Sequence, residues 1–150
     1  MIERREVRYQ AAVLREHHVL LIKIFDRADG SEVWIFPGGG REPGESEEAC
    51  LRRELQEETG LEVAVGPLLF ETPVRDDELY SLLKTFRCAI VAGEPQPGTE
   101  PELDHDGVAS IRDVGWFDLR EPTTWGPDVA RAKATIPLLL QLGAALGYTH

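Results

Sequence analysis

Residues 39–61 have the sequence GGREPGESEEACLRRELQEETGL, in which a glycine-rich loop runs into a segment with helical features. Ser46 is a favourable helix N-cap, and acidic residues follow it in the first turn, where they complement the helix dipole. Gly60 supplies the left-handed residue that commonly ends a helix. The pattern predicts a helix over about 47–59, with Leu51 and Leu55 on the face that packs into the core.

Three carboxylates of this helix share one face. Glu54, Glu57 and Glu58 are related by three and four positions, so they fall within an arc of roughly 100°. Like charges this close destabilise a helix and need a compensating cation. Carboxylates without His or Cys favour magnesium, manganese or calcium. An exposed, solvated acidic face is the alternative interpretation, and the spacing alone does not exclude it.

The whole segment decides between these interpretations. It fits the pattern Gly-x5-Glu-x7-Arg-Glu-U-x-Glu-Glu-x-Gly-U, where U is aliphatic, and it resembles the signature of the Nudix hydrolase family. The stretch from Trp34 to Gly39 leads into this box as it commonly does in that family, and residues 116–119 are similar to the family's late aromatic strand. The positions that match are Gly39, Glu45, Arg53, Glu54, Leu55, Glu57, Glu58, Gly60 and Leu61.

The resemblance implies a fold of the α/β (α+β) class, the Nudix α/β/α sandwich with a central mixed β-sheet, as a single domain over residues 1–150. It also implies a metal-dependent hydrolase that cleaves a diphosphate linkage in a nucleoside diphosphate joined to another moiety. Water would attack phosphorus, with Mg²⁺ or Mn²⁺ as cofactor. The expected partner is a small nucleotide substrate.

The resemblance also assigns roles inside the box. Glu54 and Glu58 would be the main metal ligands, Glu57 a further ligand or the general base, and the Gly38 carbonyl an additional ligand. Arg53 would act with Glu54 and Glu57 in catalysis, since it can pair with Glu57 or reach Glu45 and hold the carboxylates in register. Gly39, Glu45 and Gly60 would be structural.

An acid outside the box serves as base or ligand in many relatives. We favour Asp104 or Asp106, in the acidic loop before the Trp116 strand. The other candidates are Glu71, Glu78, Glu100 and Glu102, and each of these acids taken alone is more often a solvated loop residue.

The rest of the chain predicts strands and a closing helix. Short apolar-rich runs predict strands over 7–14, 18–25, 33–36, 61–72, 78–91 and 114–119. The stretch 92–107 is rich in proline, glycine and acids and predicts an exposed loop. Helical character begins after Pro127, and we expect Pro137 to kink or restart that helix before it continues to about residue 146.

Composition excludes several other classes. The chain has 150 residues and a formal net charge of -11, which disfavours nucleic acid as a partner. No apolar run is long enough to cross a bilayer, and the first residues lack the apolar stretch of a secretion signal. We therefore expect a cytoplasmic protein without a membrane partner. Cys50 and Cys88 are expected to be reduced thiols packed in the core. A homodimer stays open.

Two other functions share this scaffold. An isomerase like isopentenyl diphosphate isomerase would need a catalytic cysteine, and neither Cys50 nor Cys88 is obviously placed for that role. A non-catalytic nucleotide-binding domain usually loses glutamates of the box. This chain keeps Glu54, Glu57 and Glu58, which favours the hydrolase.

Overall fold

The computed structural model describes residues 6–25, 30–75, 79–98 and 111–148. These ranges hold seven strands, two α-helices and two short 3-10 helices over 122–124 and 127–131. The strands and α-helices are β1 (Glu6–Arg15), β2 (His18–Phe25), β3 (Glu32–Ile35), β4 (Gly38–Gly39), α1 (Glu47–Thr59), β5 (Glu62–Pro73), β6 (Tyr80–Ala92), β7 (Asp113–Asp118) and α2 (Thr135–Ala145).

The strands form a mixed sheet in the order β3-β2-β1-β6-β5, with β4 beside β1 and β7 beside β2. β1 is parallel to β6, while its pairings with β2 and β4 are antiparallel. β1 therefore contacts three other strands and joins the two parts of the sheet. The mixed sheet expected from the sequence is confirmed.

The two faces of the sheet are covered by different helices. Side chains alternate along a strand, so Ala11 and Val13 of β1 lie in one apolar cluster with Leu51 and Leu55 of α1. Ala12 points the other way, into a second cluster that contains Leu139 of α2. The result is the α/β/α layering that the sequence predicts, with the sheet buried between the helices.

The C-terminal region differs from the expectation of a helix that begins after Pro127. A 3-10 helix covers Pro127–Arg131, Ala132 is extended, and α2 begins only at Thr135. Pro137 lies in the first turn of α2, where its missing N–H breaks no hydrogen bond. The helical segment is therefore interrupted at Ala132 and restarts at Thr135, two residues before Pro137, which agrees with the expected restart.

Both cysteines are free and buried, as predicted. Burial raises the pKa of the Cys88 thiol to about 12, so this group stays protonated at neutral pH. Among the described residues, no helix combines the length and apolar character needed to cross a membrane.

Candidate active site

Helix α1 has the bounds predicted from its caps and is anchored at both ends. The Ser46 hydroxyl accepts a hydrogen bond of 3.0 Å from the Ala49 N–H, and Gly60 adopts the left-handed conformation, with φ of 73°. Near the start of the helix, the Lys84 ammonium lies 3.0 Å from a carboxylate oxygen of Glu47. The two caps fix the ends of the helix, and the contact of Lys84 with Glu47 connects it to β6 of the sheet.

The glycine-rich loop begins next to the carboxylate of Glu58. Gly38 pairs with Gln10 in β1, and a Cβ atom at Gly38 would collide with the carbonyl oxygen of Tyr9. Its φ of 154° is also one that residues with side chains rarely adopt. Because glycine fits here, the Gly38 N–H can donate a hydrogen bond of 2.7 Å to Oε1 of Glu58.

The three carboxylates of α1 lie in different environments. Glu54 and Glu58 are 1% and 0% exposed, whereas 36% of the Glu57 side chain is exposed. The Oε2 atom of Glu58 is buried and has no hydrogen-bond partner among the described residues. Burial of such an oxygen destabilises the folded state unless a cation or a hydrogen-bond donor binds it. The solvated acidic face considered above therefore does not describe Glu54 and Glu58.

Arg53 is the centre of the charge network. Its guanidinium makes two hydrogen bonds to Glu45, of 2.7 and 2.9 Å, and it donates to Oε1 of Glu54 at 2.9 Å. It also lies 3.4 Å from Glu57 and donates to the Gly40 carbonyl at 3.0 Å. The hydrogen bonds to Glu45 are the largest cause of a raised pKa of Arg53, so the guanidinium stays charged. Arg53 thus connects the loop to both Glu54 and Glu57.

The donor chemistry fits a hard divalent cation. Carboxylate and carbonyl oxygens are the ligands that magnesium and manganese prefer, and Glu58 presents a buried carboxylate oxygen without a hydrogen-bond partner in the described structure. Within the described ranges, the side chains do not form a ready-made group of three or more His, Cys, Asp or Glu ligands.

The structure brings most of the predicted site residues together. Arg53 joins Glu45, Glu54 and Glu57 in one network, and Glu58, on the same helix, accepts from the Gly38 N–H. The Gly39 carbonyl lies 3.7 Å from the Cys50 thiol under the helix, and Gly60 ends the helix. Glu71 is not part of this network and lies 3.9 Å from Lys84. Asp104, Asp106, Glu78, Glu100 and Glu102 lie outside the described residues.

A polar cluster that was not predicted from the sequence lies on the α2 side of the sheet. The buried Arg8 guanidinium donates to the Phe36 carbonyl at 2.9 Å, and the buried Gln10 amide donates to the Thr85 hydroxyl at 2.9 Å. Gln10 is also the β1 partner of Gly38, which places the cluster next to the glycine-rich loop. Its signal in the sequence is the pair of polar residues, Arg8 and Gln10, at alternate positions of an otherwise apolar strand.

Comparison with known proteins agrees with this geometry. The sequence matches the NUDIX domain over residues 4–139, which is most of the chain. The chain belongs to the Nudix family. It is a Nudix hydrolase that acts on nucleoside phosphoanhydrides by pyrophosphate hydrolysis.

Two curated relatives and one solved structure show the extent of the similarity. A Mycobacterium tuberculosis protein named "Putative 8-oxo-dGTP diphosphatase 2" is 37% identical over 101 residues, which cover 65% of this chain and 69% of the relative. The nucleoside triphosphatase NudI of Escherichia coli is 38% identical over 101 residues, or 60% of this chain and 70% of NudI. A MutT Nudix hydrolase from Burkholderia pseudomallei superposes with a TM-score of 0.69 at 26% identity, covering 93% of this chain and 99% of that one.

Proposed function

We propose that this Nudix hydrolase is a divalent-metal-dependent diphosphatase of nucleoside triphosphates. The observation that carries the metal dependence is the Oε2 atom of Glu58, which is buried without a hydrogen-bond partner in the described structure while Oε1 of the same carboxylate is held by Gly38. If the only role of this residue were to stabilise the helix, an apolar side chain at this position would make the protein more stable.

The residues that would hold Mg²⁺ or Mn²⁺ are Glu54, Glu57 and Glu58, together with the Gly38 carbonyl. A bound ion would neutralise the diphosphate and lower the pKa of an attacking water. Glu57 is the most exposed of the three carboxylates, so we assign it as the ligand or general base that reaches this water. Arg53 keeps Glu54 and Glu57 in place through its hydrogen bonds to both.

The nucleoside triphosphate preference is supported by two observations. The printed names of two relatives refer to 8-oxo-dGTP and to nucleoside triphosphates. In addition, Arg8 and Gln10 of β1 place a guanidinium and an amide beside Gly38, where the glycine-rich loop begins. Such groups can bind the hydrogen-bonding edge of a base or a phosphate oxygen. A small nucleotide is also consistent with a net charge of -11, which disfavours long nucleic acids.

The test is a substrate panel with Mg²⁺, comprising nucleoside triphosphates with and without an oxidised base, ADP-ribose, dinucleoside polyphosphates and nucleotide sugars. We expect the highest kcat/KM for a nucleoside triphosphate. Glu57→Gln should lower kcat by about a hundredfold or more, because it removes a carboxylate that accepts a proton or binds the ion. Glu48→Gln, the same change at an exposed position of α1, is the matched control and should keep full activity.

Two outcomes would contradict the proposal separately. Equal turnover by wild type and Glu57→Gln would remove the assignment of the carboxylate. A preference for ADP-ribose or a nucleotide sugar would remove the substrate class but leave the hydrolase intact.

The isomerase alternative receives no support from the cysteines, because Cys50 of α1 and Cys88 of β6 are both buried in the same apolar cluster. We further propose a cytoplasmic location, where reducing conditions keep such thiols free. A homodimer stays a prediction that light scattering would test.

A further inference from the structure

The chain that follows β6 lies across the C-terminal end of α1. We call residues 93–98 the strap. The Gln96 N–H donates to the Thr59 carbonyl at 2.9 Å, and the Gly98 N–H donates to the Glu58 carbonyl at 2.8 Å. The last four carbonyls of an α-helix have no partner within the helix. The strap therefore supplies donors to two carbonyls that α1 itself leaves unsatisfied.

Gly98 approaches α1 so closely that no side chain fits between them. A Cβ atom at Gly98 would collide with the carbonyl oxygen of Glu57 and lie 2.8 Å from the carbonyl carbon of Glu58. Both are backbone atoms, which cannot rotate away as a flexible side chain would. The φ of Gly98 lies outside the left-handed region, so glycine is needed here for space. The chain then returns at Ile111, whose N–H donates to the Gly98 carbonyl at 3.0 Å.

The two residues against which Gly98 packs, Glu57 and Glu58, both carry carboxylates of the site. The Glu58 side chain is fully buried and is held by the Gly38 N–H, while its main-chain carbonyl is held by the Gly98 N–H. Glu58 is thus fixed from the glycine-rich loop on one side and from the strap on the other. A displacement of the strap would shift the last turn of α1 and, with it, the carboxylates of Glu57 and Glu58.

We propose that Gly98 is a positioning residue, which sets the geometry of the metal-binding carboxylates by packing against the backbone of Glu57 and Glu58. This inference rests on the proposed function, because it assumes that these carboxylates bind a divalent ion. Gly98 does not touch the reacting groups itself. Its effect on the reaction passes through the last turn of α1.

The first experiment compares Gly98→Ala with Gly66→Ala. Gly66 is a matched control in β5, since its φ is also outside the left-handed region and an added Cβ would lie 2.9 Å from the Arg87 carbonyl oxygen. Mn²⁺ affinity is measured by electron paramagnetic resonance on the full chain. We expect Gly98→Ala to bind Mn²⁺ about tenfold more weakly, as is typical when a group that supports a metal ligand is disturbed.

The two variants should also differ in kinetics and stability. In Gly98→Ala, we expect a larger change in kcat than in KM for the nucleotide. The groups proposed to bind the nucleotide, Arg8 and Gln10, belong to β1 and not to α1. Gly66→Ala should lose stability in urea and keep the Mn²⁺ affinity of the wild type. Wild-type Mn²⁺ affinity in folded Gly98→Ala would overturn the inference.

A second measurement needs no variant and covers the case in which Gly98→Ala does not fold. Hydrogen exchange of the Gly98 amide is followed in the wild-type protein with and without Mn²⁺. We expect slower exchange with Mn²⁺, because ion binding to Glu57 and Glu58 should stabilise the turn to which this amide is bonded. Unchanged exchange in the presence of bound Mn²⁺ would overturn the inference alone. A wild-type protein that binds no Mn²⁺ would overturn the proposed metal dependence, and this inference with it.

Discussion

The guanidinium of Arg53 shows how one side chain organises the site. It contacts Glu45 with two hydrogen bonds and Glu54 with one, and it approaches Glu57 at 3.4 Å. Lysine would supply the charge but not the planar arrangement of donors that these contacts use. Because 22% of the Arg53 side chain and 12% of the Glu45 side chain are exposed, solvent screens this pair less than a surface ion pair.

The pair of Arg53 and Glu45 can be tested with a double-mutant cycle. We expect Arg53→Gln and Glu45→Gln to show a coupling free energy of about 1–3 kcal/mol, because two charge-assisted hydrogen bonds connect the loop to the helix. Urea unfolding of the wild type, both single variants and the double variant gives this value. If the losses of unfolding free energy in the two single variants add up to the loss in the double variant, the pair does not stabilise the fold. Glu48→Gln, outside the network, serves as the neutral control.

Helix α1 depends on its ends as well as on its packed face. Gly60 has a φ of 73°, and an added Cβ would meet no atom within 4 Å. Here glycine is needed for its conformation, whereas at Gly98 it is needed for space. Gly60 and Gly98 both lie at the C-terminal end of α1. Substitutions at the two positions therefore distinguish the need for a left-handed conformation from the need for space.

We expect Gly60→Ala to lower the free energy of unfolding by about 1–2 kcal/mol, which is the cost of the left-handed conformation for a residue with a Cβ. Gly60→Asn should lose less, since asparagine tolerates this conformation. Urea unfolding measures both, and Mn²⁺ affinity should stay close to that of the wild type. A larger loss for asparagine than for alanine would contradict the explanation.

The whole chain is acidic, and its stability should respond to divalent ions. A formal charge of -11 disfavours the compact state through self-repulsion, and α1 places buried carboxylates inside the fold. An ion that binds only the folded chain stabilises it by mass action.

Mg²⁺ at about one hundred times its Kd should therefore raise the free energy of unfolding by about 2.7 kcal/mol, and EDTA should reverse the gain. Glu58→Gln should respond much less, because it removes a proposed ligand. Sodium chloride at equal ionic strength controls for general screening. An equal response of Glu58→Gln and wild type would show that the stabilising ions bind elsewhere.

Much of the architecture follows from local patterns. The caps at Ser46 and Gly60 predicted the bounds of α1, and β2 covers the residues expected from its apolar run. The other predicted strands differ from the observed ones by one or two residues at their ends. The two-residue strand β4 was not predicted, because a run of glycines indicates a turn unless a neighbouring strand pairs with it.

Some features depend only on residues that are close along the chain: the helix caps, the alternation of side chains along each strand and the acidic face of α1. These features could be predicted from the sequence alone, because their hydrogen bonds and side-chain periods are local. The burial of Glu54 and Glu58, the contact of Gly38 with Glu58 and the approach of Gly98 to α1 could not. Each of these features depends on segments that are distant along the chain. Only the packing of α1 against the sheet brings those segments into contact.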